Sequence, residues 1–269
     1  MRRGEANTRS LTKLLSLEVQ TSSQQIAQLI QKSSKIISFT GAGISTESGI
    51  SDYRSKGGLW DRFVPVTIQE FLVSEEKRKE YWQTKMDLYE SFHFAQPNFG
   101  HQAIVKLEAM GKLKGIITQN IDGLHQMAGN KSEKILELHG TNRETICLSC
   151  QDITSWEEAY QRLKRGETAP LCLKCGGLLK PNTISFGQTL NAKVLNKAFD
   201  WAQSADLVLA LGSTLVVEPA ASIPRIAKQN GAKLVIVTLS DTPLDGLADI
   251  KVKASIGETF SQVLDDLGK

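Results

Sequence analysis

A doubly wound α/β fold, a parallel sheet with helices on both faces, is what this sequence predicts, with a smaller module attached to it. Three observations carry that expectation. Short β-branched runs recur and end at polar or glycine positions, helical stretches lie between several of them, and two segments interrupt the alternation. The runs span 35–40, 115–119, 135–138, 206–212, 233–239 and 250–254. Most lack alternation of apolar and polar residues, as strands buried on both faces of a parallel sheet do. "TSSQQIAQLIQKS", before the first run, sets Ile26, Leu29 and Ile30 at helical spacing. "PNFGHQAIVKLEAMGK", before the second, does the same with Ala103, Ile104, Leu107 and Met110. "AASIPRIAKQNGA" lies between the fourth and fifth runs.

The interruptions are residues 56–98, rich in aromatic and charged residues, and 142–180, which hold every cysteine of the chain. The expected organisation is a flexible N-terminal tail over 1–19, a main domain built from 20–55, 99–141 and 181–269, and two inserts that pack together as the smaller module. A chain of 269 residues, 41% hydrophobic and 23% charged, is long enough for a large domain plus inserts. A net charge of +3 is too small to argue for nucleic acid or an acidic membrane. No apolar run reaches the roughly 18 residues of a membrane span. The first 19 residues are basic but lack the apolar core of a secretory signal, and Glu5 and Glu18 weaken a mitochondrial-type presequence. The default compartment is cytoplasmic.

Cys147, Cys150, Cys172 and Cys175 form two C-x-x-C pairs. Two disulfides or reduced core thiols are the alternatives to a metal. Disulfides suit small secreted chains, whereas paired hooks at this spacing match a tetrahedral zinc site. With thiolate at all four positions none is left open to water, so such a zinc is structural.

The first run leads into "SFTGAGISTESGISDYR", residues 38–54. Gly41 and Gly43 supply the G-x-G of a Rossmann-like dinucleotide fingerprint, in which glycine lets the backbone turn and approach phosphate. A helix starting near Ser45 would aim N–H groups at that anion. The third glycine is missing, and Asp61, near the distance of the usual ribose-binding acid, does not end a second strand. Gln119, Asn120 and Asp122 follow the second run, at the edge where open α/β sheets bind ligands; an Asx turn capping the next helix is the structural alternative. Of the four histidines, His93 and His101 have no motif around them, and His125 suits a structural hydrogen bond. His139 follows a strand, with Gly140 leaving room beside the ring.

"GAGISTESGISDYR", "TQNIDGLHQMAG", "LHG", the double C-x-x-C, "FGQ", "GSTLVVEPA" and "TPLD" occur in an order that closely resembles the sirtuin family, the NAD-dependent protein deacylases. The resemblance runs from about Ile26 to the C-terminus. It implies NAD bound for cleavage of the nicotinamide–ribose bond, with the backbone of Gly41, Ala42, Gly43 and Ser45 at the diphosphate. Asp52, Tyr53 and Arg54 would lie in a flap over the cofactor, the Tyr53 ring keeping water from the ribose; Ser51 replaces a common proline there. Asn120 and Asp122 would surround the nicotinamide. His139 would be the base that takes a proton from a ribose hydroxyl, a task suited to imidazole. Gly212, Ser213, Thr238 and Ile256 would line the adenosine half.

The resemblance also implies that an acylated peptide adds as a strand between "PNTISFGQ" and "STLVVEPA", with Ile184, Phe186, Gly187, Val216 and Val217 around the lysine. Ser185 stands where an apolar residue is common, and Gln188 replaces the usual Glu. Relatives that remove acidic acyl groups carry Tyr-x-x-Arg. The matching stretch, Trp82 to Lys85, has neither the Tyr hydroxyl nor the Arg fork, which disfavours acidic groups. The implied partners are acyl-lysine proteins, with no membrane. ADP-ribosyl transfer at the same ribose carbon, and a zinc-ribbon binding module without catalysis, are the alternative readings.

Overall fold

The structure, a computed structural model, describes residues 21–268; the expected N-terminal tail lies outside the described residues. Helix α1 (21–32) leads into strand β1 (Ile36–Thr40). The first insert follows as α2 (Leu59–Arg62), α3 (Ile68–Val73), α4 (Glu75–Asp87) and α5 (Tyr89–His93). Then come α6 (Phe99–Ala109), β2 (Leu113–Thr118), α7 (Leu124–Ala128) and β3 (Ile135–Glu137). The cysteine-bearing stretch contributes β4 (Gly140–Cys147), β5 (Ile153–Ser155), α8 (Trp156–Lys164) and β6 (Leu179–Thr183). The chain closes with α9 (Ala192–Gln203), β7 (Leu207–Leu211), α10 (Ser222–Gln229), β8 (Lys233–Val237), β9 (Ile250–Val252) and α11 (Ile256–Leu267).

Six strands make one parallel sheet in the order β3-β2-β1-β7-β8-β9. All six predicted runs are its strands. Successive side chains feed opposite layers. Ile36, Leu207, Leu209, Leu211, Val235 and Val237 meet Ile26 and Ile30 of α1, Ala103, Ile104 and Leu107 of α6 and Phe260 and Val263 of α11. Ile37, Phe39, Val208, Ala210, Leu234 and Ile236 meet Ala198 and Ala202 of α9 and Ile223 and Ala227 of α10. Each fully buried Leu, Ile or Phe stabilises the fold by about 1.5–3 kcal/mol relative to exposure. Of the predicted helical stripe on α6, only Met110 departs: it is the C-cap and 40% exposed.

The sheet order reverses between β1 and β7, so the loops after these strands diverge and open a crevice at their carboxyl ends. A second, antiparallel sheet runs β5-β4-β6. Its strands β4 and β6 straddle the insert boundaries expected from sequence. Trp82 of α4 is fully buried against Cys147, Ala159, Cys172 and Leu179 and stacks on Trp156, ring centroids 5.8 Å apart. The two interruptions of the alternating pattern therefore touch each other through these rings.

Candidate functional site

The glycine loop leaves β1 and packs on the loop after β7. Gly41 N donates to Leu211 O at 3.0 Å and Gly43 N to Gly212 O at 2.8 Å. A Cβ at Gly41 would sit 2.8 Å from Gly212 O, and one at Gly43 2.7 Å from Gly212 Cα. Gly212 itself has φ +65°. These glycines are needed for one loop to lie on the other, a constraint the sequence reading had placed at the phosphate alone. The helix expected from Ser45 does not form. Two 3₁₀ turns, Ala42–Ile44 and Thr46–Ser48, occupy the loop and end at Gly49 in the left-handed region. Thr46 Oγ1 bonds back to Gly43 O at 3.0 Å, and the side chain of Ser45 is drawn inward. Such local side-chain bonds compete with a continuous helix. Ser45 is accordingly buried and does not line the crevice, whereas Gly41, Ala42 and Gly43 do.

What Ser45 does instead is hold the residues after β2. Its Oγ donates to Asp122 Oδ2 at 2.7 Å and accepts from Asn120 Nδ2 at 3.1 Å. Asn120 Nδ2 also reaches Gly41 O at 3.2 Å. Asp122 Oδ1 accepts from Leu124 N at 2.9 Å at the start of α7, the Asx turn left open by the sequence. Burial raises the Asp122 carboxyl, more than the bonds from Leu124 and Ser45 lower it. Gln119 Nε2 donates to Ser213 Oγ at 2.7 Å, tying the β2 end to the β7 end.

His139 stands between β3 and β4. Its Nδ1 lies 2.9 Å from Gln119 O. A carbonyl only accepts, so Nδ1 carries the proton and Nε2 is left with its lone pair. Burial lowers its pKa, partly offset by that bond. Its own carbonyl accepts from Ile184 N at 2.8 Å, so His139 and the expected substrate segment share a bond. The room provided by Gly140 (φ +75°) belongs to β6, not to the ring: a Cβ there would run into Asn182 O. His125 has the structural role expected, with Nε2 2.9 Å from Thr40 Oγ1. His101, unassigned from sequence, closes a capping box with Asn98 at the start of α6.

Gly41, Ala42, Gly43, Gln119, Asn120, Asp122 and His139 line one cavity of about 1190 Å³. Asp52, Tyr53 and Arg54 form part of its wall, as do Gly212, Ser213, Thr238, Ile256, Ile184, Phe186, Gly187 and Val217. Val216, expected with them, lies outside it and is 51% exposed. Residues 184–188 are not strand: β6 ends at Thr183, and Gln188 Oε1 accepts from Ser185 N at 3.1 Å to close a turn. In the flap, burial raises the Asp52 carboxyl, and hydrogen bonds from Ser55 and Arg54 outweigh it and hold it low. The Arg54 guanidinium lies over the Trp60 ring, 4.1 Å from its centroid.

Glu47, Trp60 and Tyr81 are among the lining residues not expected from the sequence. Glu47 accepts from Gly257 N at 3.0 Å and so joins the glycine loop to the first turn of α11. Trp60 is the aromatic of the flap region. Tyr81 places a hydroxyl in the cavity one position before the stretch compared with Tyr-x-x-Arg, because α4 turns Trp82 into the core. Its hydroxyl lies 3.2 Å from Thr183 Oγ1. Burial is the largest single influence and opposes its ionisation, but Lys85, Lys180 and hydrogen bonding with Thr183 and Ser185 together outweigh it and bring the phenol down to about 8.

Away from the crevice the four cysteine sulfurs lie within 4.8 Å of one another. Cys147 Sγ and Cys175 Sγ are 3.5 Å apart, Cys150 Sγ and Cys172 Sγ 3.7 Å. A disulfide needs about 2.05 Å. A tetrahedron of thiolates at about 2.3 Å from zinc needs sulfurs roughly 3.8 Å apart, and the cluster fits it.

Comparison with known proteins agrees with this geometry. Residues 41–219 match the family model described as the Sir2 family. An NAD-dependent protein deacetylase of Thermodesulfovibrio yellowstonii is 48% identical over 238 residues, covering 88% of this chain and 92% of that protein. NAD-dependent protein deacylase 2 of Archaeoglobus fulgidus is 38% identical over 245 residues, 91% of this chain and 95% of that one. A Sir2 variant solved with a deacetylated p53 peptide and 3′-O-acetyl ADP ribose superposes with a TM-score of 0.85 at 35% identity, over 91% of this chain and 98% of its own. Sir2Tm bound to a propionylated peptide gives 0.82 at 36% identity, over 91% and 98%. A crevice at the sheet's switch point, a thiolate tetrahedron and relatives matched over nearly their full length lead to one assignment: the chain belongs to the Sir2 family, is an NAD-dependent protein deacylase, and takes NAD and zinc as its cofactors.

Proposed function

We propose that the protein removes acetyl or longer neutral acyl groups from lysines of proteins or peptides, giving nicotinamide, free lysine and O-acyl-ADP-ribose. The observation that carries this reading is the fixed tautomer of His139, its Nδ1 held by Gln119 O and its Nε2 free within the cavity. NAD supplies the ribose carbon to which the acyl oxygen is transferred as nicotinamide departs. His139 Nε2 takes the proton of a ribose hydroxyl so that the hydroxyl can attack the acyl carbon. Asn120 and Asp122, locked by Ser45, offer an amide and a carboxyl to the nicotinamide. Gly41, Ala42 and Gly43 present backbone to the diphosphate. Gly212, Ser213, Thr238 and Ile256 seat the adenosine. Tyr53 and Arg54 would close over the sugar with Asp52 holding their turn, so that water does not capture the ribose carbon before the acyl oxygen does. One water admitted after that step completes the release of free lysine and leaves the acyl group on a ribose hydroxyl.

Ile184, Phe186, Gly187 and Val217 form the lysine passage, beside which the peptide would lie as an extended segment. The neutral preference is supported by the state of the nearby cations. Arg143 pairs with Glu137 at 3.2 Å, and Lys85, whose Nζ donates to the neutral Asn142 Oδ1 at 3.3 Å, brings a point charge and no bidentate fork to an acyl carboxylate. The same reading divides the chain into an NAD domain and a small module of helical insert plus zinc ribbon, in which zinc braces the frame and takes no part in the chemistry. Mass spectrometry of an acetyl-lysine peptide with NAD and the protein tests the proposal. Loss of acetyl with release of nicotinamide and O-acetyl-ADP-ribose is expected. A peptide or protein gaining ADP-ribose, or no turnover, would overturn it.

A further inference from the structure

The geometry points to Trp60 as a positioning residue that couples the acyl-lysine seat to the cofactor flap. This rests on the substrate and cofactor sides proposed above. The Trp60 ring lies between two others in the cavity wall. Tyr53 of the flap is 5.7 Å away, centroid to centroid, at an interplanar angle of 51°. Phe186 of the lysine passage is also 5.7 Å away, at 54°. Both angles are tilted arrangements of the kind that aromatic pairs favour. The Arg54 guanidinium rests on the same ring at 4.1 Å. Flap and passage come from distant parts of the sequence, and one indole makes ring contacts with both.

The backbone repeats the connection. Leu59 N donates to Asp52 O at 2.9 Å and Trp60 N to Tyr53 O at 3.1 Å, binding α2 to the flap. At the other end Ile68 N donates to Phe186 O at 3.0 Å, and Gln69 Nε2 lies 3.5 Å from Gly187 O. Residues 59–69 therefore bridge the flap and the passage. A lysine chain seated against Phe186 fixes that ring, the ring fixes Trp60, and Trp60 holds Tyr53 and Arg54 where they cover ribose and phosphate. With the passage empty, Trp60 has one restraint fewer, and the flap closes less completely over NAD. The consequence for chemistry is protection: the cofactor is enclosed best when an acyl-lysine is present to receive its ribose.

Coupling of this kind is reciprocal in binding and commonly amounts to about 5- to 150-fold. The test measures the affinity of carba-NAD, whose glycosidic bond does not cleave, with and without a saturating acetyl-lysine peptide. For the native protein the peptide should tighten carba-NAD by about 10-fold, and carba-NAD should tighten the peptide equally. Trp60→Leu keeps apolar bulk and removes the ring faces; it should bring both factors to within about 2-fold of unity. Trp60→Phe, which keeps an aromatic ring, should restore most of the coupling. Phe186→Leu should abolish it as well, and the double variant should lose no more than either single one. Thermal melting and zinc content of each variant confirm that the fold is intact, and if Trp60→Leu fails to fold, the Phe186→Leu and Trp60→Phe pair gives the answer. Native-like coupling in Trp60→Leu or Phe186→Leu, losses that add in the double variant, or no coupling in the native protein would overturn the assignment. Absence of deacetylation in the native protein would instead sink the proposed function, since the binding measurement needs no turnover.

Discussion

In the role proposed for His139 as a base, two influences on its ring act on different things. The Gln119 carbonyl decides which nitrogen carries the proton, and burial decides how readily the ring takes a second one. Its pKa lies below the ordinary histidine value, so Nε2 is unprotonated at neutral pH. The rate should rise with pH along an acid limb centred below about 6.5 and level off above it. His139→Ala should abolish deacylation and remove that limb while leaving NAD affinity within several-fold; a variant that turns over normally would remove His139 from the mechanism. Beside it, Gly140 is under a backbone constraint. A side chain there meets Asn182 O and must also adopt φ +75°. Gly140→Ala should cost about 1–3 kcal/mol, read as a lower denaturant midpoint, and should lower activity by shifting His139 from the Ile184 bond. The cysteines were legible from sequence because their residue type and spacing carry the chemistry; His139 was set apart from the other three histidines by the family resemblance, since residue type alone does not distinguish them. Ser45 was legible as a site residue but not in its role, since a hydroxyl drawn to Asp122 looks the same in sequence as one facing phosphate.

At the scale of elements, the strands of the parallel sheet were the clearest signal, because a strand buried on both faces must be apolar throughout. The glycine loop was the least clear. Its G-x-G suggested a turn into a helix, and the structure has two 3₁₀ turns whose glycines serve contact with Gly212. The zinc unit has only short strands β4, β5 and β6, helix α8, and a small cluster around Trp82, Cys147 and Cys172. So little apolar surface does not hold a sheet by itself, and the metal supplies the remainder. Cys172→Ser should lose zinc and melt this unit, visible as loss of Trp82 and Trp156 near-UV signal at temperatures where the parallel sheet persists. A folded, metal-free, active variant would contradict that account.

At the scale of the molecule, α6 and α7 lock two imidazoles beneath the crevice. His101 and His125 are buried with ring centroids 5.0 Å apart. His101 accepts from Asn98 N and His125 faces Thr40, while His101 Nε2 and His125 Nδ1 have no hydrogen-bond partner among the described residues. Burial lowers His101 to about 4, and burial together with His101 lowers His125 well below its usual value. Both are neutral in the folded protein and protonate when it unfolds in mild acid. Stability is therefore full above pH 6.5 and falls as pH drops toward 4, since the unfolded chain binds more protons. For His101 the loss is on the order of 3 kcal/mol. The melting temperature should decline from pH 6.5 to 4.5, and His101→Gln should flatten that decline. A melting temperature constant over this range would refute the account.

The sequence by itself determined the class of fold, the six strands of the parallel sheet and the four-thiolate cluster, because periodicity and residue type are local properties. The tertiary structure decided which residues meet. It folded Ser45 inward, put Val216 outside the cavity, turned Trp82 into the core in favour of Tyr81, and set Trp60 between Tyr53 and Phe186. Those choices depend on the rotation of each helix about its axis and on where distant loops cross, and both are fixed by the packing of the whole chain.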